Sequence, residues 1–144
     1  MDGQDNIKEL ARNIVLPNDV QEVPRLATFV EEVCDAAGVS MATTFQLNLA
    51  IEEAVVNVMD YAYPSGTRGD VEIAATVSGG ILCFIISDSG TPFDPTTKGE
   101  VDTTLSAEER KIGGLGIHLV RQIMDSIDYK REEGKNVLTL CKKI

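Results

Sequence analysis

Glu53 and Asn57 stand four residues apart in the stretch FQLNLAIEEAVVNVMDYAYP, Phe45 to Pro64. On a helix that spacing sets a carboxylate and a carboxamide side by side, about one turn apart. Such a pair suits a general base beside an oxygen ligand for a hard cation, and equally a solvated polar pair on a helix surface. Two other stretches offer chemistry. Asp88 follows the apolar run Ile81 to Ile86 and precedes Gly90 by two residues. A carboxylate there can accept from a buried donor, and the glycine permits close backbone approach, although Asp-Ser-Gly is also ordinary turn chemistry. Gly113-Gly114-Leu115-Gly116 opens a helical pattern. Glycines at a helix start expose backbone N–H groups to a phosphate, or simply make a hinge.

These residues need elements to position them. Gln46 to Ala62 lacks Gly and Pro and is rich in Ala, Leu, Ile, Val and Met, which predicts a helix. At about 100° per residue, Leu47, Ala50, Ile51, Ala54, Val55, Val58 and Ala62 fill one broad apolar face. Phe45, Leu49 and Val56 form a second apolar zone, so two sides of this helix call for cover. Gln46, Glu53, Asn57 and Asp60 lie in a narrow polar strip between them, expensive unless something polar faces it. Upstream, Ile7 to Leu16, closed by Pro17, reads as an edge strand. Asp19 can cap a helix that becomes regular near Pro24 and ends at Gly38, and Ser40 caps the central helix.

Downstream, Val71 to Val77 alternates as a half-buried strand, and Ser78-Gly79-Gly80 makes a tight hairpin turn. Ile81 to Ile86 is continuously apolar and β-branched, which predicts a central strand covered on both faces. Thr96 to Lys111 is polar and aperiodic, the character of a functional lid or a disordered loop. A helix to about Ser126 follows, with Ile117, Val120, Ile123 and Met124 on one face. Strands over Ile127 to Glu132 and Asn136 to Lys142 close the chain around Glu133-Gly134-Lys135. Helices and hairpins segregated in this way predict an α+β sandwich, with helices on one face of a sheet.

With 144 residues, 43% hydrophobic and 25% charged, the chain reads as a single globular domain over residues 1–144. A net charge of -10 and a pI near 4.5 argue against nucleic acid and favour a basic protein partner or bound cations. The three cysteines, Cys34, Cys83 and Cys141, form no CxxC and accompany one histidine, His118, so no zinc site is written. They read as reduced core thiols of a cytoplasmic protein. The N-terminus lacks the apolar segment of a signal peptide, and no run is long enough to span a membrane.

A GxxxxGK[ST] phosphate loop is absent, the glycines at 114 and 116 lack the setting of a dinucleotide fingerprint, and no nucleophile elbow surrounds Ser87, Ser89 or His118. Glu-Ala-Val-Val-Asn (53–57), Asp-Ser-Gly-Thr-Pro-Phe-Asp-Pro (88–95) and Gly-Gly-Leu-Gly-Ile-His-Leu-Val (113–120) instead resemble the N, G1 and G2 boxes of the GHKL ATPases. Within that superfamily the chain is similar to the anti-sigma-factor serine kinases, and the resemblance covers nearly its whole length. It implies the Bergerat fold, a two-layer α/β sandwich with a mixed, mainly antiparallel sheet. It implies ATP and Mg²⁺ as cofactors, with Glu53 as general base and Asn57 as magnesium ligand. Asp88 would accept from the adenine amino group, Gly90 would lie beside the ring, and Thr139 would match the adenine-side hydroxyl position. Gly113, Gly114, Leu115 and Gly116 would border the triphosphate, and Thr96 to Lys111 would form the ATP lid. The implied activity is phosphorylation of a serine on an anti-sigma-factor antagonist of the STAS type, regulating transcription by partner switching. A sigma factor and a second copy of the chain are further implied partners. A nucleotide-binding switch module without transfer, and a stand-alone ATPase, are the alternatives.

Overall fold

The structure, a computed structural model, describes residues 9–98 and 118–144. Strand β1 (Leu10–Pro17) leads through a short 3-10 turn into α1 (Val23–Ala37) and α2 (Met41–Tyr61). Then come β2 (Asp70–Ser78), β3 (Ile81–Asp88), a helical stretch α3 over residues 118–123, β4 (Ser126–Glu132) and β5 (Lys135–Lys143). Local chemistry sets the boundaries. Asp19 Oδ1 accepts from the Gln21 N–H at 2.9 Å, and Pro24 occupies the first turn of α1. Gly38 ends α1 in the left-handed region at φ 78°, where a side chain would be strained. The Ser40 hydroxyl then accepts from the Thr43 N–H at 3.2 Å to cap α2.

The sheet order is β1-β2-β3-β5-β4. Every ladder among the described residues is antiparallel, which corrects the expectation of a mixed sheet. The reason lies in the connections. The α1–α2 pair carries the chain up and back before β2, and tight hairpins join β2 to β3 and β4 to β5. Both helices pack on one face. The whole predicted apolar face of α2 is buried there, in one core with Ile73, Phe84, Ile86, Leu138 and Leu140.

The other sheet face carries no helix among the described residues, and three sequence expectations change as a result. In β3, Leu82, Phe84 and Ile86 are buried, whereas Cys83 and Ile85 are only half-buried, so the strand is covered on one side. Cys83 and Cys141 pair directly across β3 and β5, their Cα atoms 4.1 Å apart, and form a disulfide. They are therefore not reduced core thiols; Cys34 alone is free and buried. The second apolar zone of α2 stays largely uncovered, with Phe45 65% and Leu49 38% exposed. No helix of the described residues is long and apolar enough to cross a membrane.

Candidate functional site

Asp88 is the last residue of β3 and lies directly opposite Asn136 of β5. Both are 3% exposed, the two buried polar residues of the described core. Asn136 Nδ2 donates to Asp88 Oδ1 at 3.0 Å and to the Thr91 carbonyl at 2.8 Å. Its Oδ1 accepts from the Phe93 N–H at 3.1 Å and the Tyr129 hydroxyl at 2.5 Å. One side chain thus ties β3, β4, β5 and the loop after β3 together. The Gly90 N–H donates to the same Asp88 Oδ1 at 2.8 Å. Asp88 Oδ2, by contrast, is buried with no partner among the described residues.

A buried acceptor without a donor is costly, so this oxygen calls for a donor beyond the described residues. Burial pushes the Asp88 carboxyl above its ordinary value, and the Asn136 and Gly90 hydrogen bonds and the nearby Arg131 charge only partly offset this. The Tyr61 hydroxyl is the other buried side-chain polar atom lacking a partner among the described residues, and its ring stacks on Phe93 at 5.5 Å. Two orphaned polar atoms thus flank the loop after β3.

The C-terminal end of α2 anchors that loop. The Ala62 carbonyl accepts from the Thr91 N–H at 2.7 Å and from its hydroxyl at 3.1 Å. A Cβ on Gly90 would stand 2.3 Å from the same carbonyl oxygen, so the close approach its position requires is to the helix end. The Tyr63 hydroxyl donates to the Asp70 carbonyl at 2.7 Å and accepts from the Ser89 N–H at 3.1 Å, bracing the loop from β2. Arg131 Nη1 reaches the Gly90 carbonyl at 2.9 Å from the other side.

Further back along α2, Glu53 and Asn57 are half-buried. Asn57 Nδ2 donates to the Glu53 carbonyl at 2.9 Å, which leaves its Oδ1 as an open acceptor among the described residues. No group of three or more His, Cys, Asp or Glu among the described residues could hold a metal. The open Asn57 Oδ1 is a single hard oxygen donor, compatible with a Mg²⁺ held mainly by substrate phosphates and water.

Thr139 does not join this cluster. It pairs with Ile85 and Asp128 on the helix-free face, whereas Asp88 and Asn136 share the helix-covered face with Leu138 and Leu140. Asn136, three residues earlier, is the β5 residue beside Asp88, whereas Thr139, expected at the adenine-side hydroxyl position, faces away from it. Gly113, Gly114, Leu115 and Gly116 lie outside the described residues, as does residue 99 onward of the expected lid. Its first residues form the 3-10 turn Pro95–Lys98, and Arg121 Nη2 donates to the Thr96 carbonyl.

A helix pair thus covers one face of an antiparallel sheet, and a buried carboxylate stands at the end of its central strand. Residues 16–142 match the model of the histidine kinase-like ATPase domain, and the chain belongs to that family. The chain is 30% identical over 110 residues to the serine-protein kinase RsbW of Listeria monocytogenes serovar 1/2a, covering 74% of this chain and 70% of that protein. It is 29% identical over 96 residues to the serine/threonine-protein kinase BtrW of Bordetella bronchiseptica, covering 67% and 68% of the two chains. The fold is shared with the solved RsbU and RsbW domains of a Mycobacterium tuberculosis protein, at a TM-score of 0.66 and 16% identity. That alignment covers 93% of this chain, which spans about a third (32%) of the solved one. The expected resemblance to serine-protein kinases and the α+β fold are borne out.

Proposed function

We propose that this chain is an ATP-dependent protein-serine kinase acting in partner switching, with a serine of a STAS-type antagonist protein as acceptor. The observation that carries it is the unpartnered, buried Asp88 Oδ2, a fixed acceptor that fits the exocyclic amino group of adenine. Asn136 and Gly90 both engage Oδ1, so they turn the other oxygen toward the ligand. Gly113, Gly114, Leu115 and Gly116 border the triphosphate by family resemblance.

ATP would supply the γ-phosphoryl group to the serine oxygen, with ADP as leaving group, and a bound Mg²⁺ would supply charge neutralisation at the phosphates. The open Oδ1 of Asn57 would hold the metal, and the hydrogen bond that its Nδ2 donates to the Glu53 carbonyl orients the carboxamide. The Glu53 carboxylate accepts the proton of the attacking serine hydroxyl. It makes no side-chain hydrogen bond or ion pair among the described residues, so none of these competes for its lone pairs. A sigma factor and a second copy of the chain are the further partners.

The test is incubation with γ-labelled ATP and candidate antagonist proteins, scored for phosphoserine. Wild type should label one of them, and Glu53→Gln should lower the rate by about 10² to 10⁴ while leaving nucleotide affinity nearly unchanged. A Glu53→Gln protein as fast as wild type refutes the base assignment. Tight binding of the antagonist with no label by wild type would make the protein a non-catalytic switch module.

A further inference from the structure

The first two turns of α2 expose an apolar ridge. Met41, Phe45 and Leu49 follow one another at helical spacing and are 90%, 65% and 38% exposed. The ridge borders a groove between α1 and α2, whose other side presents Glu31 and Asp35. No lysine or arginine among the described residues lines that groove. Asn48 donates to Glu31 Oε2 at 3.4 Å, a long contact that leaves the carboxylate short of strong partners.

From these features we propose that the α1–α2 groove docks an amphipathic helix of another protein, with an apolar face and Lys or Arg along its edge. Apolar anchors at one-turn spacing match a helix laid along the groove, and the acidic wall complements a basic rim. Charge decides against a second copy as occupant. A two-fold contact on this groove would bring two acidic walls into one interface, in a chain of net charge -10. The groove lies at the opposite end of α2 from Asn57, so docking does not depend on the nucleotide site.

The probe is a synthetic helical peptide of about 18 residues, with leucines at i, i+3, i+4 and i+7 flanked by arginines. Comparators are the same leucine frame flanked by glutamates, and a scrambled sequence of the arginine peptide's composition. Titrated into the full-length protein at about 150 mM salt, the arginine peptide should bind saturably, one to one, and the two comparators should not. Met41→Ser with Phe45→Ser should weaken binding at least about tenfold. Glu31→Gln with Asp35→Asn should weaken it several-fold and flatten its salt dependence. Nucleotide affinity of both variants, and their thermal midpoints to within a few degrees, should match wild type, because all four side chains lie at the surface. Equal binding of the scrambled peptide overturns the proposal, as does binding indifferent to Phe45→Ser. Self-association of the free protein that Phe45→Ser abolishes would make a second copy the occupant and overturn it too.

Discussion

In the proposed function Asp88 would join nucleotide binding to stability through its buried carboxylate. Its pKa is raised by burial, so between the ordinary value of 3.8 and that raised value the folded protein binds more protons than the unfolded one. Stability therefore falls as pH rises through that window and, above it, keeps the cost of an ionised buried carboxylate. Asp88→Asn removes both. It should melt no lower than wild type at neutral pH, and its melting temperature should lose the wild-type decline through that window. Nucleotide affinity should meanwhile fall by about tenfold or more, because an amide can present a donor to the adenine amino group. Thermal melts across pH, with calorimetric titration of ATP, check both halves. Asn57→Ala should behave differently, weakening nucleotide binding in the presence of Mg²⁺ and changing it little when the metal is chelated. Identical losses with and without metal would remove Asn57 from the cation site.

At the scale of elements, α2 was legible because a helix reports its burial through its period. All seven residues of its predicted apolar face are buried, and its cap at Ser40 stands where the sequence puts it. The uncovered Phe45–Leu49 side was legible as apolar, but periodicity cannot say whether a second surface receives it. The strands were harder. An asparagine two residues after a hairpin glycine reads as turn chemistry, yet Asn136 is buried against a carboxylate 48 residues away. Only the β3–β5 register reveals the pair, and the three-residue step from Asn136 to Thr139 moves a side chain to the other face, so Thr139 does not stand beside Asp88. Since Asn136 satisfies four separate groups, Asn136→Ala should cost about 3 kcal/mol and also weaken nucleotide binding. Tyr129→Phe, which removes one of these bonds, should cost about 1 kcal/mol. Denaturant unfolding of the two variants measures both. Equal losses would mean that the network does not act through Asn136.

At the scale of the molecule, the sheet is held covalently as well as by its core. The Cys83–Cys141 bond spans 58 residues, and closing a loop of that size stabilises the fold by about 4 kcal/mol in the chain-entropy account. Reduction with a dithiol, or Cys83→Ser, should lower the thermal midpoint by about 10 °C or more. An unchanged midpoint would show that the two strands hold their pairing without the bond. The sequence could not announce this pairing, because an odd cysteine count permits several, and which two face each other depends on the register of β3 against β5.

The same bond turns the stretch between its two sulfurs into a ring stitched shut on the back of the sheet. A protease that severs one peptide bond anywhere in that ring opens it without releasing a fragment. The nicked protein would run as a single species on a non-reducing gel and part into two bands once thiol is added. Clipping there would leave β3 and β5, and with them Asp88 and Asn136, tethered in one molecule.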